Sequence, residues 1–281
     1  TEDSLNKIGE LHVRRLTRHQ GRFNQTQKAL FDKQLRDVLR LLRETKSEAG
    51  LRRTIKKQVG GVLFNPDEWL DAFARSGRPL MLAALDESAQ SQIATFGLGI
   101  SFDVVAPLVQ DWLDKRAEFW ATRVNDETGR LLMQELQEAA SLGEGIPQIQ
   151  ERVEKIFRFN NQVRSERIAR TEMQAATNNG AVESYRQSHV VEQKMWLSVT
   201  DQRTRDAHLE ANQQTVPLEA KFLVGGEEID HPGDGSPDNA CNCRCTVVPI
   251  IRSGTRSTPA LSEAPLSTKS TKKIKKTIIR D

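Results

Sequence analysis

The sequence predicts an α+β protein: a mostly helical N-terminal domain, a small α+β domain with a short antiparallel sheet, and a flexible basic tail. Three observations carry this. Apolar residues recur at helical spacing as far as about residue 160, and beyond it short β-branched runs take over. Residues 252–281 then hold eight basic side chains against two acidic ones in a stretch rich in Ser, Thr and Pro.

Taken in order, Phe31, Leu35, Val38 and Leu42 step by four, three and four, and Leu82, Leu85, Ala89, Ile93 and Phe96 continue the same rule. Each set is one stripe of a helix, facing either an internal core or a partner. Asn65-Pro66 reads as a helix start, with Asn65 as N-cap and Pro66 in the first turn, where its missing N–H costs nothing. Pro147 opens another helix, with Ile149, Val153, Ile156 and Phe157 on its inner face. A helical domain is therefore expected over residues 1–160. Beyond it, "SERIARTEMQAATNNGAVESYRQ" reads as one more long helix and Lys194 to Val199 as a strand. "AKFLVGGEEI" reads as a hairpin turning on Gly225-Gly226, and "CTVVPII" as a further strand, completing a domain over residues 161–251. The tail, 252–281, has too few large apolar groups to offset the entropy of ordering.

Composition narrows the function classes. A hydrophobic fraction of 37% is enough for a core. No apolar run approaches the roughly 18 to 20 residues that cross a bilayer, and the N-terminus lacks the charged-then-apolar layout of a secretion signal. Synthesis in a cytoplasm is expected. The net charge is +3, and the surplus belongs to the tail. The three cysteines, Cys241, Cys243 and Cys245, fall within five residues, unlike the dispersed spacing of a secreted disulfide scaffold. In an extended segment they would share one side, with Asn242 and Arg244 on the other. A bridge between neighbours in that set is a poor fit, since Cα atoms two apart on a strand sit about 6.5 Å from each other, at the upper limit for a disulfide.

Four stretches of the second domain follow one another in a fixed order: "RSERIARTEMQAATNNG" (164–180), "WLSVTDQRTRDAH" (196–208), "HPGDGS" (231–236) and "NCRCTVVP" (242–249). Together they resemble the phage Mu F-like minor head protein family, the head-morphogenesis domain of tailed bacteriophages, over about residues 160–250. The resemblance implies a minor capsid protein associated with the portal vertex inside the head, acting in head assembly and DNA packaging or ejection. It implies a virion protein made in the bacterial host cytoplasm, with the portal protein and other head proteins as partners and the helical domain as the docking surface. No reaction and no cofactor is required.

The same resemblance selects residues. Arg170, Glu172, Asp201, Arg203 and Arg205 are expected in structural roles: Asp201 as the N-cap of a short helix after the strand, and the two arginines tying that turn to the "ARTE" helix through Glu172. Arginines gripping phosphate are the other reading of that pair. His208, Cys243 and Cys245 are the His and Cys that fall on the family pattern, and zinc is the metal such donors would take, with His231 as a fourth ligand. Against zinc, the spacing is not C-x-x-C, and one strand brings two such thiolates to one ion only by bending. Small buried thiols packed beneath the hairpin are the competing reading, and Cys241 is incidental to both. "HPGDGS" describes a tight turn in which Asp234 bonds nearby N–H groups. His208, His231 and Asp234 around a metal would instead describe a nuclease or other hydrolase, although no nucleophile elbow, H-E-x-x-H or phosphate-cradling loop accompanies them. In the tail, Lys269, Lys272, Lys273, Lys275 and Lys276 suit sequence-independent contact with double-stranded DNA, or simply form a solvated end.

Overall fold

The computed structural model of the protein describes residues 2–44 and 64–252. The expected tail from residue 253 onwards, with Lys269, Lys272, Lys273, Lys275 and Lys276, lies outside the described residues. The helical and β regions fall where the change of apolar period puts them: four long helices and one helix-linked sheet region, in the α+β class.

Helix α1 (Glu2–Glu44) buries a single stripe, His12, Leu16, His19, Phe23, Gln27, Phe31, Gln34, Val38 and Leu42, in steps of three and four. Its polar members make the cross-links that its apolar members cannot. His19 Nε2 lies 3.0 Å from Glu87, Gln34 donates to Asn125 at 2.9 Å, and His12 Nε2 donates to Gln174 at 3.1 Å. Burial of the His12 ring lowers its pKa to about 4, so the imidazole is neutral at physiological pH.

Helix α2 (Pro66–Phe96) starts as its sequence requires. The Asn65 side chain accepts from the Asp67 N–H at 3.2 Å, and Gly97, at φ 61°, closes the far end. Helix α3 (Pro107–Leu142) follows, and then α4 (Ile146–Phe159), with Pro147 in its first turn. The chain does not break near residue 160. A π-helical turn, Asn160–Arg164, carries α4 directly into α5 (Ser165–Ser188). Arg164, buried in that turn, donates to Thr128 Oγ1 and to the Val124 carbonyl, and burial lowers its pKa to about 10.

Two apolar clusters meet on α5. Ala169, Met173 and Ala176 belong to the core of the helices, whereas Ala181, Val182 and Tyr185 belong to a second core under the sheet. The sheet has the order β2-β1-β5, all antiparallel: β1 (Val191–Leu197) lies between β2 (Thr215–Pro217) and β5 (Thr246–Ile251). The first strand thus starts three residues before Lys194 and stops at Leu197, short of the expected Val199. A separate hairpin, β3 (Phe222–Val224) and β4 (Glu227–Ile229), turns on Gly225 and Gly226 at φ 58° and 79°, positive values that glycine adopts without penalty. Short helices α6 (Asp206–Glu210) and α7 (Pro237–Ala240) fill the connections. No helix among the described residues is long and apolar enough to cross a membrane.

The approach of α5 to α2 is set by Gly180. A Cβ there would lie 2.2 Å from the Leu85 carbonyl oxygen, which is backbone and cannot swing aside. Gly180→Ala therefore pits about 1 kcal/mol of helix propensity against a clash worth about 1–3 kcal/mol or more, and the clash wins. A lowered melting temperature is expected; an unchanged or raised one would show that α2 and α5 can separate freely.

Candidate functional site

The loop between α7 and β5 carries all three cysteines, and they do not share a side. Asn242 adopts a left-handed conformation at φ 56°, turning the chain between Cys241 and Cys243. Cys243 and Cys245 are buried, Cys241 is half-buried, and all three thiols are free. The expectation of one continuous extended segment is corrected here: β5 begins only at Thr246. Asn tolerates the left-handed region better than most residues, which suits it to this corner.

His208, on α6, meets the two buried thiols. Its Nδ1 lies 3.5 Å from Cys245 Sγ and 3.8 Å from Cys243 Sγ, and all three candidate donor atoms fall within 4.8 Å of one another. The imidazole is buried and stands edge-on to Trp196, ring centroids 5.5 Å apart. Cys245 is the stronger acid of the pair. A hydrogen bond from Cys243, and then the His208 ring, hold its thiol well below the ordinary range against the effect of burial. The same hydrogen bond, with burial, pushes Cys243 well above it. Sulfur, imidazole and near-complete exclusion of solvent together suit a soft metal ion or a tightly packed thiol pair.

A second layer fixes this group. Ser198, just past β1, accepts from Trp196 Nε1 at 3.1 Å, donates to the His208 carbonyl, and lies 3.7 Å from Cys245 Sγ. Gln174 on α5 donates to the Cys245 carbonyl and lies 3.8 Å from Cys243 Sγ. Asn178, one turn along, donates to the same carbonyl at 3.1 Å and to the Pro232 carbonyl at 3.0 Å. None of Gln174, Asn178, Ser198 or His12 stood out in the sequence. The readable signal was two amides spaced i, i+4 within an otherwise small-residue helix, but which face they occupy depends on the tertiary fold.

Asp201 does not cap a helix. Arg205 occupies the N-cap position of α6, and the Asp201 carboxylate instead closes its own turn on the Arg203 N–H at 2.9 Å. Its main partner is Arg244, which grips both carboxylate oxygens at 2.6 Å and pins the β1–α6 turn to the cysteine loop. The sequence places Arg244 only on the side away from the cysteines and does not reveal its partner. The expected ties from Arg203 and Arg205 to Glu172 are not made. Glu172 pairs with Arg116 of α3 at 2.6 Å, because it stands on the side of α5 that meets the helical core. Arg205 donates to the Cys241 carbonyl at 2.6 Å, Arg203 is largely exposed, and Arg170 pairs with Glu166 one turn before it.

His231 is not part of the cysteine cluster. Its Nδ1 lies 3.2 Å from the Pro232 carbonyl, its ring lies against Trp112, and burial lowers its pKa. Asp234 accepts from the Asp230 N–H at 3.4 Å within the same turn. Neither joins His208, so the three-residue hydrolase arrangement is not assembled among the described residues.

The family model described as Phage Mu protein F like protein matches residues 131–248. Residues 131–248 are therefore similar to the phage Mu protein F-like family. The matched stretch begins within α3 and takes in α4, α5, β1 to β4, the first half of β5 and the whole His208–Cys243–Cys245 cluster. The chain is also similar to "Uncharacterized protein YqbB" of Bacillus subtilis (strain 168), at 22% identity over 197 residues, or 68% of this chain. It spans 64% of the length of that relative. No solved structure matches it.

The Asp201–Arg244 pair gives the matched stretch a readable pH dependence. Arg244 above all, and then the turn's own N–H, hold the Asp201 carboxyl below the usual carboxylate range. The unfolded chain then binds the proton more readily, so the stability from this group is present above about pH 4 and is lost in stronger acid. Asp201→Asn is expected to lower the melting temperature at pH 7 and to lower it less at pH 2, part-way through the loss. A difference of the same size at both values would show that the charge is not what holds the loop.

Proposed function

We propose that the protein is a minor head protein of a tailed bacteriophage, held at the portal vertex inside the head and acting in head assembly and DNA packaging or ejection. The match of residues 131–248 to the Mu F-like family supports this reading. The proposed role requires no reaction: a rigid module and a partner surface suffice. The helical elements supply that surface. Leu108 and Phe119 on α3, with Val105 just before it, are exposed and lie outside both apolar clusters. Arg116 and Arg123 stand over the Phe119 ring at 5.5 and 5.3 Å from its centroid, and an aromatic flanked by guanidinium groups is the composition that interface anchors favour. The lysine-rich stretch 269–276 would add contact with packaged double-stranded DNA of any sequence, through its charge alone.

The test is co-expression with the portal protein of the same phage. The full chain is expected to co-purify with the portal and to be found by mass spectrometry in purified heads. Because Ala169, Met173 and Ala176 pack against the helices, removing residues 1–160 would strip the Mu F-like domain of part of its own core, so surface substitutions are the sounder probe. Leu108→Asp with Phe119→Asp should weaken portal binding by about tenfold or more while changing stability by no more than about 0.5 kcal/mol. A chain that neither co-purifies with the portal nor appears in heads would overturn the proposal.

A further inference from the structure

We propose that His208, Cys243 and Cys245 bind one zinc ion as a structural centre that ties α6 to the loop before β5. The two nitrogen-to-sulfur distances are compatible with a shared ion. In a tetrahedral site with zinc about 2.3 Å from sulfur and about 2.0 to 2.1 Å from nitrogen, the sulfur and nitrogen donors stand about 3.6 Å apart. The two Nδ1-to-Sγ distances here are 3.5 and 3.8 Å, on either side of that edge length. All three donor atoms lie within 4.8 Å of one another.

The charge balance agrees with the burial. All three side chains are almost completely shielded from solvent, at 1% exposure for His208 and 2% for each cysteine. Binding joins two thiolates and a neutral imidazole to a doubly positive ion, and the proton on Cys243, with any still on Cys245, leaves to solvent. The resulting centre carries no net charge, so its burial avoids the penalty that an isolated ion or thiolate would meet. Two thiolates also select zinc over magnesium or calcium, which prefer oxygen.

Each sulfur has one polar neighbour, while His208 Nε2 has no hydrogen-bond partner among the described residues. The amide Nε2 of Gln174 approaches Cys243 Sγ at 3.8 Å and the Ser198 hydroxyl approaches Cys245 Sγ at 3.7 Å. The left-handed Asn242 turns the loop just before Cys243, and the Gln174 and Asn178 amides fix the Cys245 carbonyl. Among the described residues, His231 and Cys241 stay outside the donor set.

The experiment uses the full chain, produced without a histidine tag in zinc-supplemented medium. Elemental analysis should find about one zinc per chain, and removal by a strong chelator should lower the melting temperature. Replacement with cobalt(II) should produce thiolate-to-cobalt charge-transfer absorption and the visible bands of a tetrahedral site. Cys243→Ser and Cys245→Ser should each lose the charge-transfer intensity, and Cys241→Ser should keep it. The wild-type measurements stand even if the first two variants fail to fold. Less than about a tenth of an equivalent of zinc, with no cobalt–thiolate absorption at excess cobalt, would overturn the site. Loss of the signal in Cys241→Ser would overturn the assigned donors.

Discussion

Gln174 and Asn178, one turn apart on α5, both donate to the carbonyl oxygen of Cys245. Gln174 carries His12 of α1 on its other end, and Asn178 also reaches the Pro232 carbonyl in the turn that contains His231. Two buried amides therefore join four segments that are far apart in sequence. The cost of leaving any of these groups unpaired in the interior is about 1–3 kcal/mol, more than most single apolar contacts contribute. The positions of α1, the proline–glycine turn and the cysteine loop are fixed together for that reason.

The apolar packing follows the same helix. The first half of α5 lies in the core of the long helices and its second half lies under the sheet, so the two cores share a wall. Tyr185 strengthens the joint: its hydroxyl donates to Gln92 of α2 at 2.7 Å and lies 3.1 Å from the Val247 carbonyl of β5. Gly180 lets the backbones of α2 and α5 come close enough for these bonds to form. The cysteines gain their geometry from this frame rather than from their own spacing, with Arg244 and Asp201 anchoring the loop from its outer side.

What could be read from the sequence was local. The stripe on α1, the Asn65 cap, the helix opened by Pro147 and the Gly225-Gly226 turn each depend on neighbours a few residues away, and each is where its pattern puts it. Partners chosen across the fold were not readable. Glu172 sits in the middle of a motif, yet which side of α5 it faces is decided by α3, so it pairs with Arg116 rather than with Arg203 or Arg205. The alternation rule put three cysteines on one side, and a single left-handed Asn242 removed Cys241 from that face. The proximity of His208 to Cys243 and Cys245 came from the family pattern, whereas the supporting Gln174 and Ser198 are common residue types with no local signature. The apolar period changes at residue 160, as read, but the sequence does not show that the π-helical turn Asn160–Arg164 carries the chain into α5 without a break.

The central claim is that α5 and its buried amides make the helices and the sheet one cooperative unit. Differential scanning calorimetry of the full chain tests it directly, because cooperativity across the shared helix requires a single transition in which the calorimetric and van't Hoff enthalpies agree. The account predicts that single transition. Two resolved transitions, one for the helices α1 to α4 and another for the sheet and cysteine loop, would contradict it.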